Sequence, residues 1–240
     1  ESQRKDGSYM YRYSDIYGKR QTVYAPDLKE LREKENKINR AIDSHTDYAA
    51  GQITLSELIE KYIDTKKNIK PKSLEGLQSS ARFIQGCPIG HMKISNIKTS
   101  DVREWIIELN KQGYAYATIN NKVVLAKAAM KMAVEDCFIV RNPFTIKIST
   151  IIANNTKEVT SYTDEEQKLL IDFFKCDRYS KRYANVFIIL LGTGLRVSEL
   201  CGLTIHDIDI DNMCIHVTHQ LIDPNKSVRD YYIGVPKTDS

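Results

Sequence analysis

The sequence predicts a multidomain protein, mainly α with small β elements. Its order is a three-stranded sheet plus a helix, then a four-helix domain, then a partial α+β domain. Three observations carry that prediction. The first 25 residues alternate with a period of two and are broken by Asp6-Gly7 and by Gly18. Four segments between residues 54 and 138 repeat apolar side chains at helical spacing. After Pro143 that stripe stops, and a new helix start appears at Thr163 and Glu166. A length of 240 residues accommodates one to three domains at roughly 100–200 residues each.

The first piece spans 1–45. Asp6-Gly7 is a hairpin signal, and in "SYMYRYS" Tyr9, Tyr11 and Tyr13 share one face while Met10 and Arg12 share the other. "DIYGKR" turns the chain and "QTVYA" supplies a third strand. Asp27 and Glu30 have capping-box spacing ahead of a stripe of Leu28, Leu31, Ile38 and Ile42. The uncovered sheet face is expected to carry tyrosines, arginines and lysines. A ribbon of this width fits a DNA major groove. A solvated sheet face explains the same residues without DNA.

The second piece spans 52–144. Thr54 and Glu57 open a helix striped by Leu55, Leu58, Ile59, Tyr62 and Ile63. Pro71 starts another, with Leu74, Leu77, Ala81 and Ile84 inside, which Gly86 and Pro88 end. The third runs from Thr99 to Gly113 around Val102, Trp105, Ile106 and Leu109. The fourth, from Ala117 to Phe138, turns Ile119, Val123, Ala126, Met130 and Val134 inward. Asn120, Lys127 and Lys131 form a separate stripe on it. Lysine contacts phosphate and asparagine reads an adenine edge, although a hydrated helix face has the same composition.

Residues 145–161 read as an exposed linker, and 162–240 as the third domain. There Leu169, Leu170 and Phe173 face inward, and "YANVFIILL" is apolar all round and expected at the centre of a core. A short helix from Arg196 to Leu203 follows. "MCIHVTHQLI", the turn Asp223-Pro224-Asn225 and "YYIGVPK" read as two antiparallel strands, with Lys237 at the end of the second.

Bulk composition excludes several classes. Net charge is +4, which permits a nucleic-acid partner without establishing one. The five cysteines have irregular spacing with no CxxC pair, so neither a disulfide framework nor a zinc cluster is expected. They read as small residues in a reducing, cytoplasmic setting. No apolar stretch approaches the ~20 residues of a membrane span, so no membrane partner is expected. "HDIDIDN" has the Asp spacing that starts a calcium loop, but Asn212 and Thr218 stand where Gly and Glu are needed. No metal and no cofactor are expected.

"LLGTGLRVSELCGL" sets Arg196 and Glu199 among apolar residues. Three readings compete. Arg196 is a surface residue at a helix end, one half of a structural ion pair, or an anion clamp held by Glu199. Leu195, Val197, Leu200 and Leu203 speak against the first. Desolvation makes a buried pair a poor stability device. The third uses the guanidinium fork, which matches two phosphate oxygens, beside a helix N-terminus.

"GTGLRVSELCGLTIHDID" resembles the first motif box of the tyrosine recombinases, the phage- and transposon-integrase family. The hairpin ending "PKTDS" resembles the element that carries that family's active-site lysine. "SQRKDGSYMYRY" is similar to the arm-site DNA-binding domain of integrases from conjugative transposons. "GYAYATINNKVVLAKAAMKMAVEDCFIVRNPF" is similar to their core-binding helical domain. The resemblance implies metal-free cleavage by a tyrosine, leaving a 3′-phosphotyrosine and a free 5′-hydroxyl. It implies that Arg196 stabilises charge on the scissile phosphate, that Glu199 orients Arg196, and that Lys237 donates a proton to the leaving oxygen. It implies DNA contacts from Arg4, Lys5, Tyr11, Arg12, Tyr13, Lys19 and Arg20 in the sheet. In the helices it implies them from Lys70, Lys72, Ser73, Asn120, Asn121, Lys122, Lys127 and Lys131. The partners it implies are double-stranded DNA at core and arm sites and further copies of the chain, as dimer or tetramer. An excisionase or bending helper belongs to the same set.

The family completes its site with a His-x-x-Arg box, another His or Trp, and a late tyrosine. His216-x-x-His219 lacks the arginine, and none of the 14 tyrosines lies beyond the hairpin. The expectation is a piece that stops within the catalytic domain and does not cleave by itself. A non-catalytic DNA-binding or architectural protein of the same fold is the alternative.

Overall fold

The computed structural model describes residues 2–4, 6–156, 158–223 and 230–236. The chain divides into two compact units, Glu1–Lys157 and Glu158–Ser240. The N-terminal sheet and the helical domain thus lie in one unit.

β1 (Ser2–Gln3), β2 (Tyr9–Ser14) and β3 (Arg20–Ala25) form an antiparallel sheet in the order β1-β2-β3. Carboxylates build its turns. Asp6 Oδ1 accepts from the Ser8 amide at 3.0 Å, and Asp15 Oδ1 accepts from the Lys19 amide at 2.8 Å. Gly7 and Gly18 supply the left-handed backbone, at φ of 85° and 78°. Helix α1 (Leu28–Asp43) crosses one face, with Leu31 and Ile38 fully buried. Asp27 caps it by accepting from the Glu30 amide at 2.8 Å. The reciprocal half of the expected capping box does not form, because the Glu30 carboxylate pairs with Lys34 at 2.8 Å.

The helical part contains α2 (Leu55–Asp64), α3 (Pro71–Gln85), α4 (Thr99–Lys111) and α5 (Tyr116–Glu135). The Thr54–Glu57 box closes in both directions. Leu55, Leu58, Ile59, Ile84, Val102, Ile106, Ile119 and Met130 are sealed in one core. Along α5, Ala126, Ala129 and Ala133 are fully buried, and such small side chains let α2 and α3 pack closely against it. The expected inward Val134 is only half-buried. Trp105 and Phe144 meet edge to face at 6.3 Å.

Part of the expected linker belongs to this core. Ile148 and Ile152 are 5 % and 7 % exposed, and Ile146 packs beside them. "TIKIS" places Ile146 and Ile148 on either side of the exposed Lys147 and enters a short 3-10 turn, Ile148–Thr150, too short for a search for helical stripes to find.

The second unit opens with α6 (Asp164–Cys176), whose Thr163–Glu166 capping box closes in both directions. α7 (Ala184–Thr193) stacks on it through Phe174 and Phe187, centroids 3.8 Å apart. The expected central burial of α7 is not found, since Ala184 alone is buried along it. The expected inward face of α6 is likewise open, with Leu169 70 % and Phe173 54 % exposed. The described elements of this unit are too few and too short to wrap an all-apolar helix.

The expected long strand over 213–222 is two strands in separate sheets. β4 (Ile208–Asp209) pairs with β5 (Cys214–Ile215), and β6 (Gln220–Ile222) pairs with β7 (Tyr232–Gly234), both antiparallel. Between β5 and β6 the chain leaves strand geometry. The His216 amide donates to the Asp207 carbonyl at 2.8 Å, and the His219 ring bonds the Gly202 carbonyl at 2.7 Å. The two histidines therefore lie in a connecting segment, not on the expected strand. The expected turn residues Pro224 and Asn225 lie outside the described residues.

Candidate active site and nucleic-acid interface

Arg196 sits where α7 gives way to α8 (Val197–Leu200). Gly194 ends α7 in the left-handed region at φ 69°, its amide donating to the Leu190 carbonyl at 3.0 Å. Only glycine adopts this turn at little cost, and it aims the next residues away from the α7 axis. Glu199 then serves two purposes. Its Oε2 accepts the Arg196 amide at 2.9 Å, and its Oε1 accepts the guanidinium Nη1 at 2.6 Å.

The pair is asymmetric. The Glu199 side chain is 7 % exposed and that of Arg196 is 55 % exposed. This corrects the argument from burial, because the guanidinium is accessible and Val197 beside it is 64 % exposed. It favours the clamp over a sealed ion pair, since a carboxylate is buried to orient a fork whose remaining donors reach solvent. α8 has four residues, so the helix-dipole contribution expected from sequence is small.

A polar frame holds α8 to the β6–β7 hairpin. Ser198 Oγ donates to Gln220 Oε1 at 3.1 Å, and Gln220 Nε2 donates to the Val235 carbonyl at 2.7 Å. Gln220 is 8 % exposed and so joins helix to strand inside the unit. The contact needs Gly202, where an added Cβ would stand 2.9 Å from the Leu221 nitrogen and 3.0 Å from the Gln220 Cα. Sequence reasoning passed over Gln220, because its role depends on a contact with a strand far along the chain. Lys237 lies outside the described residues.

Asp207, one of the three aspartates of the calcium-like run, is structural. Its Oδ2 accepts from the Thr204 amide and hydroxyl, both at 2.7 Å, and lies 3.6 Å from the His219 ring. Glu199 is held below the usual carboxylate range by the Arg196 amide and then the guanidinium. Asp207 is held below it by Thr204 and then His219. Both contribute stability at neutral pH that is lost as pH falls through their depressed folded values. Below about pH 4 the unfolding temperature is expected to fall, and Glu199→Gln with Asp207→Asn should flatten that fall. An acid slope unchanged in thermal melts of the double variant contradicts this.

The sheet sorts the N-terminal candidates. Tyr9, Tyr11 and Tyr13 share a face as expected, but it is the face under α1. Tyr13 is 9 % exposed, and the Tyr11 hydroxyl donates to Asn39 Oδ1 at 3.3 Å. Tyr11 and Tyr13 therefore belong to the packed side, which corrects their assignment to the open one. The open side carries Arg12, Arg20 and Tyr24, all exposed, with the Arg4 guanidinium 5.2 Å from the Tyr24 ring. Arg4 also pairs with Asp6 at 3.2 Å, Lys19 is exposed in the β2–β3 turn, and Lys5 lies outside the described residues.

On the helices, Lys70, Lys72 and Ser73 are exposed together at the start of α3. Asn120 and Lys127 line an open groove with Tyr116, Lys147 and Ser149. Sequence reasoning missed Lys147 and Ser149 because it placed them in the linker. Their signal was the alternation of Ile146, Lys147 and Ile148. Asn121 is exposed. Lys131 is exposed and pairs loosely with Glu135 at 3.6 Å. Lys122 is engaged inside the fold, donating to Ser80 Oγ at 3.0 Å and lying 5.3 Å from the Phe83 ring centroid. No helix is long and apolar enough to cross a membrane among the described residues.

Two family models match the chain. One, described as the DNA binding domain of Tn916 integrase, covers residues 1–42, and the phage integrase family covers residues 160–233. The transposases from transposon Tn916 of Enterococcus faecalis and transposon Tn1545 of Streptococcus pneumoniae are each 35 % identical over 254 residues, covering 100 % of this chain. The chain spans 62 % of the length of these curated relatives. The Tn1549 transposon integrase, solved in complex with a circular intermediate DNA, is 34 % identical with a TM-score of 0.73. That match covers 78 % of this chain and 58 % of the other. A lambda integrase dimer bound to a COC′ core site covers 98 % of this chain and 65 % of the other. At 17 % identity and a TM-score of 0.53 it shows likeness of fold alone.

Proposed function

We propose that this chain belongs to the phage-integrase family of tyrosine recombinases and that the whole protein is a site-specific DNA recombinase of a mobile element. It cuts and rejoins DNA through a 3′-phosphotyrosine intermediate during integration and excision. One observation carries the reading: a solvent-reaching guanidinium held at 2.6 Å by a buried carboxylate. Phosphoryl transfer builds charge on non-bridging phosphate oxygens, and a preorganised fork lowers that barrier without reorganising during the reaction. Arg196 is the cationic donor and Glu199 orients it. Lys237 donates the proton to the leaving 5′-oxygen.

Residues 1–45 bind arm-type sites through Arg4, Lys5, Arg12, Lys19 and Arg20, and the helical part binds core sites through α3 and α5. Strand exchange between two duplexes needs more than one active site, so the whole protein assembles on DNA as a dimer or tetramer. An excisionase or bending protein assists, in a bacterial cytoplasm. Within the 240 residues there is no His-x-x-Arg box and no tyrosine after Tyr232. We therefore assign duplex binding without cleavage to this chain alone.

The experiment is a nicked suicide substrate offered to the whole protein and to residues 1–240. A covalent protein–DNA adduct with the whole protein and none with the chain is expected. Specific duplex binding with no adduct from either supports an architectural role instead. Phosphate contacts by the helices are tested separately. Replacing Lys127 and Lys131 with alanine is expected to lower the slope of log K against log salt by roughly 1–2. An unchanged slope in binding titrations removes both lysines from the interface.

A further inference from the structure

The β4–β5 hairpin carries three different ligating side chains on one face. Asp209 and Cys214 are direct partners in the antiparallel register, so they project to the same side of the ribbon. His216 lies two residues beyond Cys214, just past the end of β5. The carboxylate oxygen, the thiol sulfur and the ring nitrogen all lie within 4.8 Å of one another. Cys214 Sγ and His216 Nε2 are 3.6 Å apart. Four-coordinate zinc with bonds of about 2.0–2.3 Å places its donors roughly 3.3–3.8 Å apart.

The hairpin holds these groups before any ion arrives. Asp209 Oδ1 accepts from the Asn212 amide at 2.9 Å, and its Oδ2 accepts from Asn212 Nδ2 at 2.8 Å. Met213 turns the chain in the left-handed region at φ 54°. The His216 amide is fixed to the Asp207 carbonyl at 2.8 Å. Little backbone ordering is left for binding to pay. His219 is directed elsewhere, to the Gly202 carbonyl, so the two histidines of His-x-x-His serve different places.

We propose that Asp209, Cys214 and His216 form a three-ligand binding site for zinc or a similar borderline-soft divalent cation. Thiolate, imidazole and carboxylate suit zinc, whereas calcium and magnesium take oxygen donors alone. Three protein ligands leave a fourth position for water or an anionic oxygen. On binding, sulfur exchanges its proton for the metal and the proton passes to solvent. The bound ion clips β4 to β5 directly after the turn that Asp207 caps.

The test uses the 240-residue chain and cobalt(II) as the probe. One equivalent is expected to give the thiolate-to-cobalt charge-transfer band with a four-coordinate visible spectrum, and zinc should abolish both stoichiometrically. Cys214→Ser should lose the charge-transfer band. His216→Gln should weaken affinity by at least about tenfold, the loss produced even by removing an outer-shell partner. Cys201→Ser, another exposed cysteine, should keep the band. Far-ultraviolet circular dichroism checks that each variant is folded, and Asp209→Asn replaces any that is not. A wild-type chain without the band, or a band that survives Cys214→Ser, overturns the proposal. Neither DNA nor cleavage enters the readout, so the result is independent of the recombinase reading.

Discussion

Arg196→Ala in the whole protein is expected to lower strand cleavage by about 10²–10³-fold while duplex affinity changes by less than about tenfold. The separation follows from where the guanidinium is held. Its partner carboxylate is buried and accepts the Arg196 amide as well, so the fork is oriented by the backbone that carries it. Such a group contributes most where phosphate charge develops, and it adds one phosphate contact among many to ground-state binding. Arg196→Lys keeps the charge and loses the fork, so it should recover only part of the rate. Glu199→Gln should slow cleavage less than Arg196→Ala, because the amide oxygen still accepts one of the two hydrogen bonds. Single-turnover cleavage of a nicked substrate, with affinity measured beside it, checks the set. Normal cleavage by Arg196→Ala would end the catalytic assignment.

Gly90→Ala is expected to destabilise the first unit by about 1–3 kcal/mol, seen as a fall in Tm on the order of 5 °C. Gly90 is buried in the turn after α3. An added Cβ would overlap the Ile84 carbonyl oxygen and stand 2.8 Å from Ser56 Oγ. The Ser56 hydroxyl already donates to the Gly90 carbonyl at 2.9 Å, tying α2 to this turn. Backbone cannot withdraw as a flexible side-chain end does, so the α2–α3 packing must shift. Gly76→Ala is the control with the opposite sign. It lies on the exposed middle of α3 with nothing within 4 Å of its Cβ position. There alanine should stabilise by roughly 0.5–1 kcal/mol through helix propensity. Equal melting temperatures for the two variants would show that the turn is not packed as described.

Much of the fold was legible because its signals are local. The Thr54–Glu57 and Thr163–Glu166 boxes, the stripe from Leu55 to Ile63 and the apolar side of α5 each depend on residues within a turn or two. The Arg196–Glu199 contact was legible for the same reason, as neighbours three apart on one turn. Burial was the weaker inference. Apolar neighbours in sequence suggested a sealed arginine, yet Val197 and Arg196 both reach solvent. Whether a neighbour covers a side chain depends on elements elsewhere in the chain.

The sequence by itself determined the main helices, the closed caps at Thr54–Glu57 and Thr163–Glu166, the three-stranded meander and the arginine–glutamate unit. Each follows from backbone hydrogen bonding and side-chain periodicity over a few residues. Tertiary structure alone decided which face of the meander α1 would cover, so that Tyr11 and Tyr13 pack inward while Arg12 and Arg20 stay open. It drew Ile148 and Ile152 into the helical core, split one expected strand between two hairpins, and sent His216 and His219 to different partners. These outcomes balance burial and hydrogen bonding between residues distant in the chain, and no local pattern encodes that balance.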